Sequence, residues 1–368
     1  HGDFTPWNTY LNNSDDLYIY DWELSSENYP FGFDFFHFII QNGVLTQHKS
    51  WREIKNEIDK YHETIFKNGD CEKYLSFYLL VNVLNYLEIY EKQENWHTQI
   101  QWLLETWNLA LSDLLKSFVN QRELIVLDTF DQLHFTDFAG LKLNDQVEKV
   151  SVYSDIDLLM EKKTSKMLIQ FLKNHPLIQK VHLQRGIAMT KMLIMTKDSQ
   201  IISMDHIFQL KRKSLEYMNV SALIKNPYID KHGIKKMNLM DTLKFIGLFY
   251  GLNNAAIPEK YRKYANVCNT GNSLLDNIIN KELSTGAPSQ KELYNEISRL
   301  PENNGISGLK NKIFYLFDTM KNIIGQKGLV ITFSGVDGSG KSTVIENTKR
   351  EIEKKLRKKV VVIRHRPS

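Results

Sequence analysis

The run Val152-Tyr153-Ser154-Asp155-Ile156-Asp157-Leu158-Leu159-Met160 alternates polar and apolar residues as a strand does, so Asp155 and Asp157 leave on one face. Two carboxylates so close repel each other unless a cation sits between them, which makes the pair a candidate Mg²⁺ site. A third carboxylate on a neighbouring strand would complete a two-metal clamp. Asp205, ending Ile201-Ile202-Ser203-Met204-Asp205, is the natural candidate. The competing explanation is an edge strand whose aspartates are simply solvated. Around this run the chain mixes signals: strand-like stretches at 191–196 and 200–205, and a helical one at 164–174. Lys211-Arg212-Lys213 follows closely and reads as a solvated helix face.

Downstream, residues 238–324 read as helices broken at Ser284-Thr285-Gly286-Ala287-Pro288 and Pro301-Glu302-Asn303-Asn304-Gly305. A strand is expected at Leu329–Phe333. It runs into Ser334-Gly335-Val336-Asp337-Gly338-Ser339-Gly340-Lys341-Ser342-Thr343, then a charged helix over about 342–357 and a strand at Lys359–Ile363. Gly-x4-Gly-Lys-Ser between strand and helix is the setting of a phosphate-binding P-loop. Its glycines let backbone N–H groups wrap phosphates, Lys341 reaches the β and γ oxygens, and Ser342 meets Mg²⁺ at a helix N-terminus. The basic run Lys349–Lys359 is interleaved with Glu351 and Glu353, so it reads as a solvated helix side rather than a nucleic-acid patch.

Upstream, Thr9-Tyr10-Leu11 and Leu17–Tyr20 flank an Asn-Asn-Ser-Asp-Asp turn, the pattern of a hairpin. Residues 48–118 are helical, and Trp96, Ile100, Leu103, Trp107, Leu111 and Leu114 recur at steps of three and four as one stripe. The opening His1-Gly2-Asp3-Phe4-Thr5-Pro6-Trp7-Asn8 and the later Asp21-Trp22-Glu23 place an Asp and an Asn on one tight loop, with a second Asp at the end of the hairpin. Phosphoryl transfer needs such a set: a carboxylate to orient the acceptor hydroxyl and oxygen ligands for Mg²⁺.

The chain has 368 residues, 42% of them hydrophobic and 24% charged, enough for two to three packed domains and too apolar for wholesale disorder. A net charge of +4 gives no polybasic field that would draw nucleic acid or a membrane surface. No apolar run reaches membrane-spanning length, so no membrane insertion is expected. Two cysteines, Cys71 and Cys268, exclude a disulfide scaffold and point to a reducing, cytoplasmic setting. His182, His206 and His232 have no partner at zinc-ligand spacing, and Cys71 reads as core.

The opening loop resembles the catalytic loop of aminoglycoside/choline-kinase-like phosphotransferases. That resemblance implies Asp3 as catalytic base, Asn8 and Asp21 as metal ligands, and Asp34 as a structural aspartate, with residues 1–118 as a helical C-terminal lobe. Ser154-Asp155-Ile156-Asp157 with Asp205 resembles the nucleotidyltransferase superfamily, which implies residues 119–325 as a mixed-sheet domain. There Asp155, Asp157 and Asp205 would act as catalytic and metal-binding carboxylates. That family expects a Gly-Ser or Gly-Gly ahead of the pair, where this chain has Gly140-Leu141. Residues 326–368 look like the first β–P-loop–α–β unit of thymidylate kinase and its relatives. In that likeness Gly335, Gly338, Gly340, Lys341, Ser342 and Thr343 cradle the nucleotide, Asp337 lies near the acceptor, and Arg364 or Arg366 of Arg364-His365-Arg366-Pro367 faces its phosphate.

The expected fold class is therefore multidomain α/β and α+β, with both ends of the chain cutting through domains. The implied function is an ATP (or other nucleoside triphosphate) and Mg²⁺-dependent phosphotransferase of nucleoside-monophosphate-kinase type. It would be fused to kinase-like and nucleotidyltransferase-like modules and act on a nucleotide and a small-molecule acceptor, in nucleotide-sugar or surface-polysaccharide metabolism. Two alternatives remain open: a nucleotide-binding regulatory or scaffold protein with degenerate sites, and a different P-loop kinase such as one like adenylylsulfate kinase.

Overall fold

The computed structural model describes residues 1–66, 70–93, 95–143, 146–151, 154–265, 273–325, 330–336, 338–355 and 359–363. Cys268, Val152, Tyr153, Leu329, Asp337, Arg364 and Arg366 lie outside the described residues. The chain is a mixed α/β protein of two compact units. The first comprises His1–Phe135, Lys166–Val181 and Met195–Gln200; the second comprises Thr136–Ser165, His182–Ile194 and Ile201–Ser368. Among the described residues no helix is long and apolar enough to cross a membrane.

The first unit opens with a 3-10 turn at Pro6–Asn8 and the hairpin β1 (Thr9–Leu11) and β2 (Leu17–Ile19), paired Thr9 to Ile19 and Leu11 to Leu17. Asn12 shapes the turn: its Oδ1 accepts the Ser14 and Asp16 N–H groups at 2.8 and 2.9 Å, and Asp15 takes the left-handed conformation at φ 61°. Helices α1 (Phe33–Gln41), α2 (Trp51–Ile65), α3 (Cys71–Tyr90), α4 (Thr98–Leu115) and α5 (Gln121–Leu133) follow. Ser50 and Glu53 form a capping box that starts α2. The stripe expected on α4 is buried at Ile100, Leu103 and Trp107 and half-buried at Leu111 and Leu114. Cys71 is buried at the start of α3, and that burial pushes its thiol up to about 11, far from nucleophilic use.

Next along the chain come strands β3 (Phe138–Leu141) and β4 (Asp155–Met160), helix α6 (Lys162–Asn174), most of it in the first unit, and strands β5 (Ile178–Arg185), β6 (Met189–Thr196) and β7 (Ile201–Ile207). Then come β8 (Leu210–Arg212), β9 (Leu215–Met218), α7 (Val220–Lys225), β10 (Tyr228–Ile229), β11 (Lys235–Lys236), α8 (Leu239–Leu252), α9 (Ser273–Thr285), α10 (Gln290–Ser298), α11 (Gly305–Gly325) and α12 (Lys341–Lys355). Seven strands form one mixed sheet in the order β10-β11-β3-β4-β7-β6-β5. Within it β4 is antiparallel to β3 and parallel to β7. Central β4 alternates only through Asp155-Ile156-Asp157 and is then buried at Leu158, Leu159 and Met160, as a strand covered on both faces must be.

Two sequence expectations are corrected. Lys211-Arg212-Lys213 is not a helix face: Lys211 and Arg212 belong to β8, and Lys213, at φ 54°, turns the chain into β9. Buried Leu210 and Leu215 bracket the triplet, and the antiparallel pairing of Leu210 with Met218 and of Arg212 with Leu215 holds it in a ladder. Nor do residues 330–333 or 359–363 form strands. A strand is made by its ladder to a neighbour; these apolar runs have none among the described residues, and Val330, Val361 and Ile363 stand 86%, 73% and 89% exposed.

In the helical part of the second unit, Gly247 and Gly251 lie one turn apart on α8 and let α9 approach closely. A Cβ on Gly251 would stand 2.5 and 2.7 Å from the Glu282 carboxylate oxygens and strike Leu293. Glu282 is fully buried; its Oε1 accepts the Ser289 N–H, while Oε2 has no hydrogen-bond partner among the described residues. Burial pushes its pKa up to about 7 from a usual 4.5. The folded state therefore holds a proton that the unfolded chain releases above pH 4.5. This contribution is full below that value and is lost as pH rises toward 7 and beyond. Glu282→Gln should abolish this loss, raising stability at pH 8 by roughly 2–3 kcal/mol and changing little at pH 4. Urea unfolding of both proteins at the two pH values measures it.

Candidate functional site

Three groups of residues were expected to carry chemistry, and the structure treats them differently. In the first unit, Asp3 and Asn8 come together: Asn8 Nδ2 donates to Asp3 Oδ2 at 2.8 Å and to the Asp3 carbonyl at 3.1 Å. The second carboxylate oxygen, Oδ1, sits 3.0 Å from Nε2 of buried His37 on α1. Gly2, at φ 87°, donates its N–H to Asp34 Oδ1 at 2.9 Å, and the His1 nitrogen lies 2.9 Å from Asp34 Oδ2, so Asp34 ties this loop to the start of α1. The Asn8 carbonyl accepts the Tyr20 N–H at 2.9 Å, and His1 Nε2 meets the Tyr20 carbonyl at 2.6 Å. Asp21 follows directly, exposed and left-handed at φ 59°. Loop and hairpin end are thus fastened together, with His37 a neighbour that sequence spacing did not single out.

In the second unit the carboxylates stand on adjacent parallel strands. Asp157 is in register with Asp205, and Asp155 with Ser203. Asp205 is 3% exposed. Burial first, and the facing Asp205 second, push the Asp157 carboxyl up to about 6; burial also raises Asp205. Lys142 and Lys191 oppose the rise at Asp157, and Lys191 does so at Asp205. Among the described residues no group of three or more His, Cys, Asp or Glu side chains gathers into a ready-made metal cluster. The pair Asp157/Asp205 is therefore the core of this site, and Asp155 does not complete a triad with it. Two buried carboxylates in register, both raised in pKa, fit a Mg²⁺ ion, which is bound by one or two carboxylates with phosphates and waters filling its octahedron.

Gly140-Leu141 lies within β3 rather than at a turn: Gly140 is in register with Leu158 and Leu141 with Asp157. Nothing there offers a serine hydroxyl. The residue after it, Lys142, takes φ 55° and directs its ammonium to 4.9, 5.1 and 5.7 Å from the rings of Phe245, Phe249 and Tyr250. Loss of hydration in that setting lowers its pKa, while Asp157 raises it and Lys260 lowers it further. Neither Lys142 nor Lys191 is visible as a site residue in the sequence, because only the sheet register and the fold of α8 bring them to the carboxylates. Behind the pair, the imidazole of His206 is buried and held down to about 4, and Ser165 Oγ meets its Nδ1 at 2.8 Å. It is a neutral packing group, not a proton carrier at physiological pH.

In the third group, Gly338 and Gly340 adopt φ 84° and 78°, a conformation that only glycine takes without strain, and α12 begins at Lys341. The Lys341 ammonium folds back onto the carbonyls of Gly335 and Val336, and Ser342 and Thr343 lie exposed on the first turn of the helix. Comparison with models of protein families, with curated proteins and with solved structures finds no match to the chain.

Proposed function

We propose that the chain is a Mg²⁺- and nucleoside-triphosphate-dependent transferase, with Asp157 and Asp205 the centre of a nucleotidyltransferase-like site. Its other two groups belong to kinase-like modules. The observation that carries the reading is the register of Asp157 against Asp205 on parallel strands, with both carboxyls raised in pKa despite the nearby Lys191. Such a pair is unfavourable in an empty protein, and a divalent cation relieves it.

When bound, Mg²⁺ would supply Lewis-acid stabilisation of phosphate oxygens. Asp157 and Asp205 would hold it; Asp155, on the same face of β4, would reach the attacking hydroxyl as general base. Asp3 and Asn8, joined by their hydrogen bond, support a second phosphotransfer site of kinase type, with Asp21 at its rim. Gly335, Gly338, Gly340, Lys341, Ser342 and Thr343 support a P-loop of thymidylate-kinase type, to which Asp337 and Arg366 would add the acceptor contacts. The acceptor class, a nucleotide or sugar precursor, follows from the sequence resemblance alone.

The chain bearing Lys341→Ala and Asp21→Asn, to silence the P-loop and the kinase-type site, should convert nucleoside triphosphate in a Mg²⁺-dependent way. Asp157→Asn or Asp205→Asn should lower that rate by about 100-fold or more. Turnover that survives both changes would remove the enzymatic reading of this site. The regulatory alternative has one observation in its favour, the absence of a Gly-Ser hydroxyl at Gly140-Leu141. It predicts triphosphate binding with no turnover even in the parent protein.

A further inference from the structure

We infer that Lys142, seconded by Lys260, is the triphosphate-binding element of the Asp157/Asp205 site, taking the place of the Gly-Ser cradle the chain lacks. The inference rests on the reading of that carboxylate pair as a divalent-cation site. Lys142 stands at the end of β3, one residue past Leu141, whose register partner is Asp157, and its positive φ turns it out of the strand. Its ammonium is held near three aromatic rings of α8, a wall that positions a cation without neutralising it.

Two features give this lysine a ligand beyond the carboxylates. Lys260 is close enough to repel it. Like charges placed within reach of each other are relieved by an anion between them, just as the facing carboxylates are relieved by a cation. The second feature is the charge balance of the pocket. Lys142 and Lys191 act on Asp157, and Lys191 acts on Asp205, which offsets part of the strain on the carboxylates without removing it. A divalent cation taken up by the carboxylates leaves the lysine charges uncompensated and turns the pocket into an anion receptor. Metal therefore precedes triphosphate: the polyphosphate chain bridges the cation on one side and the Lys142/Lys260 pair on the other.

The test uses the full chain carrying Lys341→Ala and Asp21→Asn, with Mn²⁺ as cation and ATP as the triphosphate. Free Mn²⁺ is followed by electron paramagnetic resonance, and ATP binding by the change in water-proton relaxation. Lys142→Met should bind Mn²⁺ at least as tightly as the parent, because a competing positive charge has gone. It should bind ATP in the presence of Mn²⁺ more than tenfold more weakly. Lys142→Arg should recover most of that affinity, and Lys260→Met should show a smaller loss. Retained Mn²⁺ binding confirms that the variant is folded at the site. Unchanged ATP affinity in Lys142→Met would overturn the inference while leaving the cation site standing. A parent protein that binds no Mn²⁺ would overturn the cation reading itself and this inference with it.

Discussion

Asp157→Asn should melt roughly 6–12 °C above the parent chain at pH 8 while losing its divalent cation. The Asp157 carboxyl titrates near 3.8 when free and near 6 in the folded protein, chiefly through burial and secondly through Asp205. Between those values the native state holds a proton that the unfolded state has released, so stability falls as pH rises from about 4 to 6 and then levels off. A displacement of that size corresponds to about 3 kcal/mol, and 1 kcal/mol moves the melting point of a domain this large by about 2–4 °C. Asparagine carries no charge to desolvate and leaves Asp205 unopposed, so the destabilisation disappears at high pH. At pH 4 the two proteins should melt together. Scanning calorimetry at pH 4 and pH 8 measures both; equal melting points at pH 8 would show that the pair is not strained in the metal-free chain.

The largest loss of stability is expected in the other unit, at Asp128→Ala. Asp128 on α5 is 3% exposed, and its Oδ2 accepts from both Ser112 Oγ and His175 Nε2, the latter at 2.8 Å. His175 Nδ1 accepts the Leu177 N–H at 3.2 Å, which fixes the tautomer and leaves the hydrogen on Nε2. These three residues resemble a hydrolytic triad in composition only: serine and histidine both bond the aspartate and do not bond each other, so no nucleophile is activated. Alanine would strand two buried donors at once, at about 3–5 kcal/mol. Asp128→Asn keeps an acceptor and should lose less than half as much. Urea denaturation of the two variants separates them; equal losses would mean that the charge, not the acceptor, matters.

The parts of this protein that local chemistry dictates were legible in its sequence. Asn12 announces the hairpin turn, α4 follows its apolar spacing, and the Asp155/Asp157 alternation marks β4. What was not legible depends on partners distant in the chain. Strand β3 is buried at every position and so shows no alternation, and β5 is polar along most of its length. Lysines 211 and 213 looked helical because charge alone says nothing about period. At the candidate site the carboxylates could be picked out by type and spacing. Their cationic neighbours could not: Lys142 reaches the pair through the β3–β4 register, and its aromatic wall is built more than a hundred residues later. His37 beneath Asp3 was hidden for the same reason, since an apolar helical stretch gives no hint that its one histidine faces a loop thirty-four residues earlier.

The most direct test of the central claim is a Mn²⁺ titration at pH 7.5, followed by electron paramagnetic resonance, on the full chain carrying Lys341→Ala and on the same chain with Asp157→Asn and Asp205→Asn added. The account predicts a bound Mn²⁺ ion in the first protein that is missing from the second, with the second folded and more stable to heat. Equal binding by the two proteins would contradict it and leave Asp157 and Asp205 as buried carboxylates without a cation to serve.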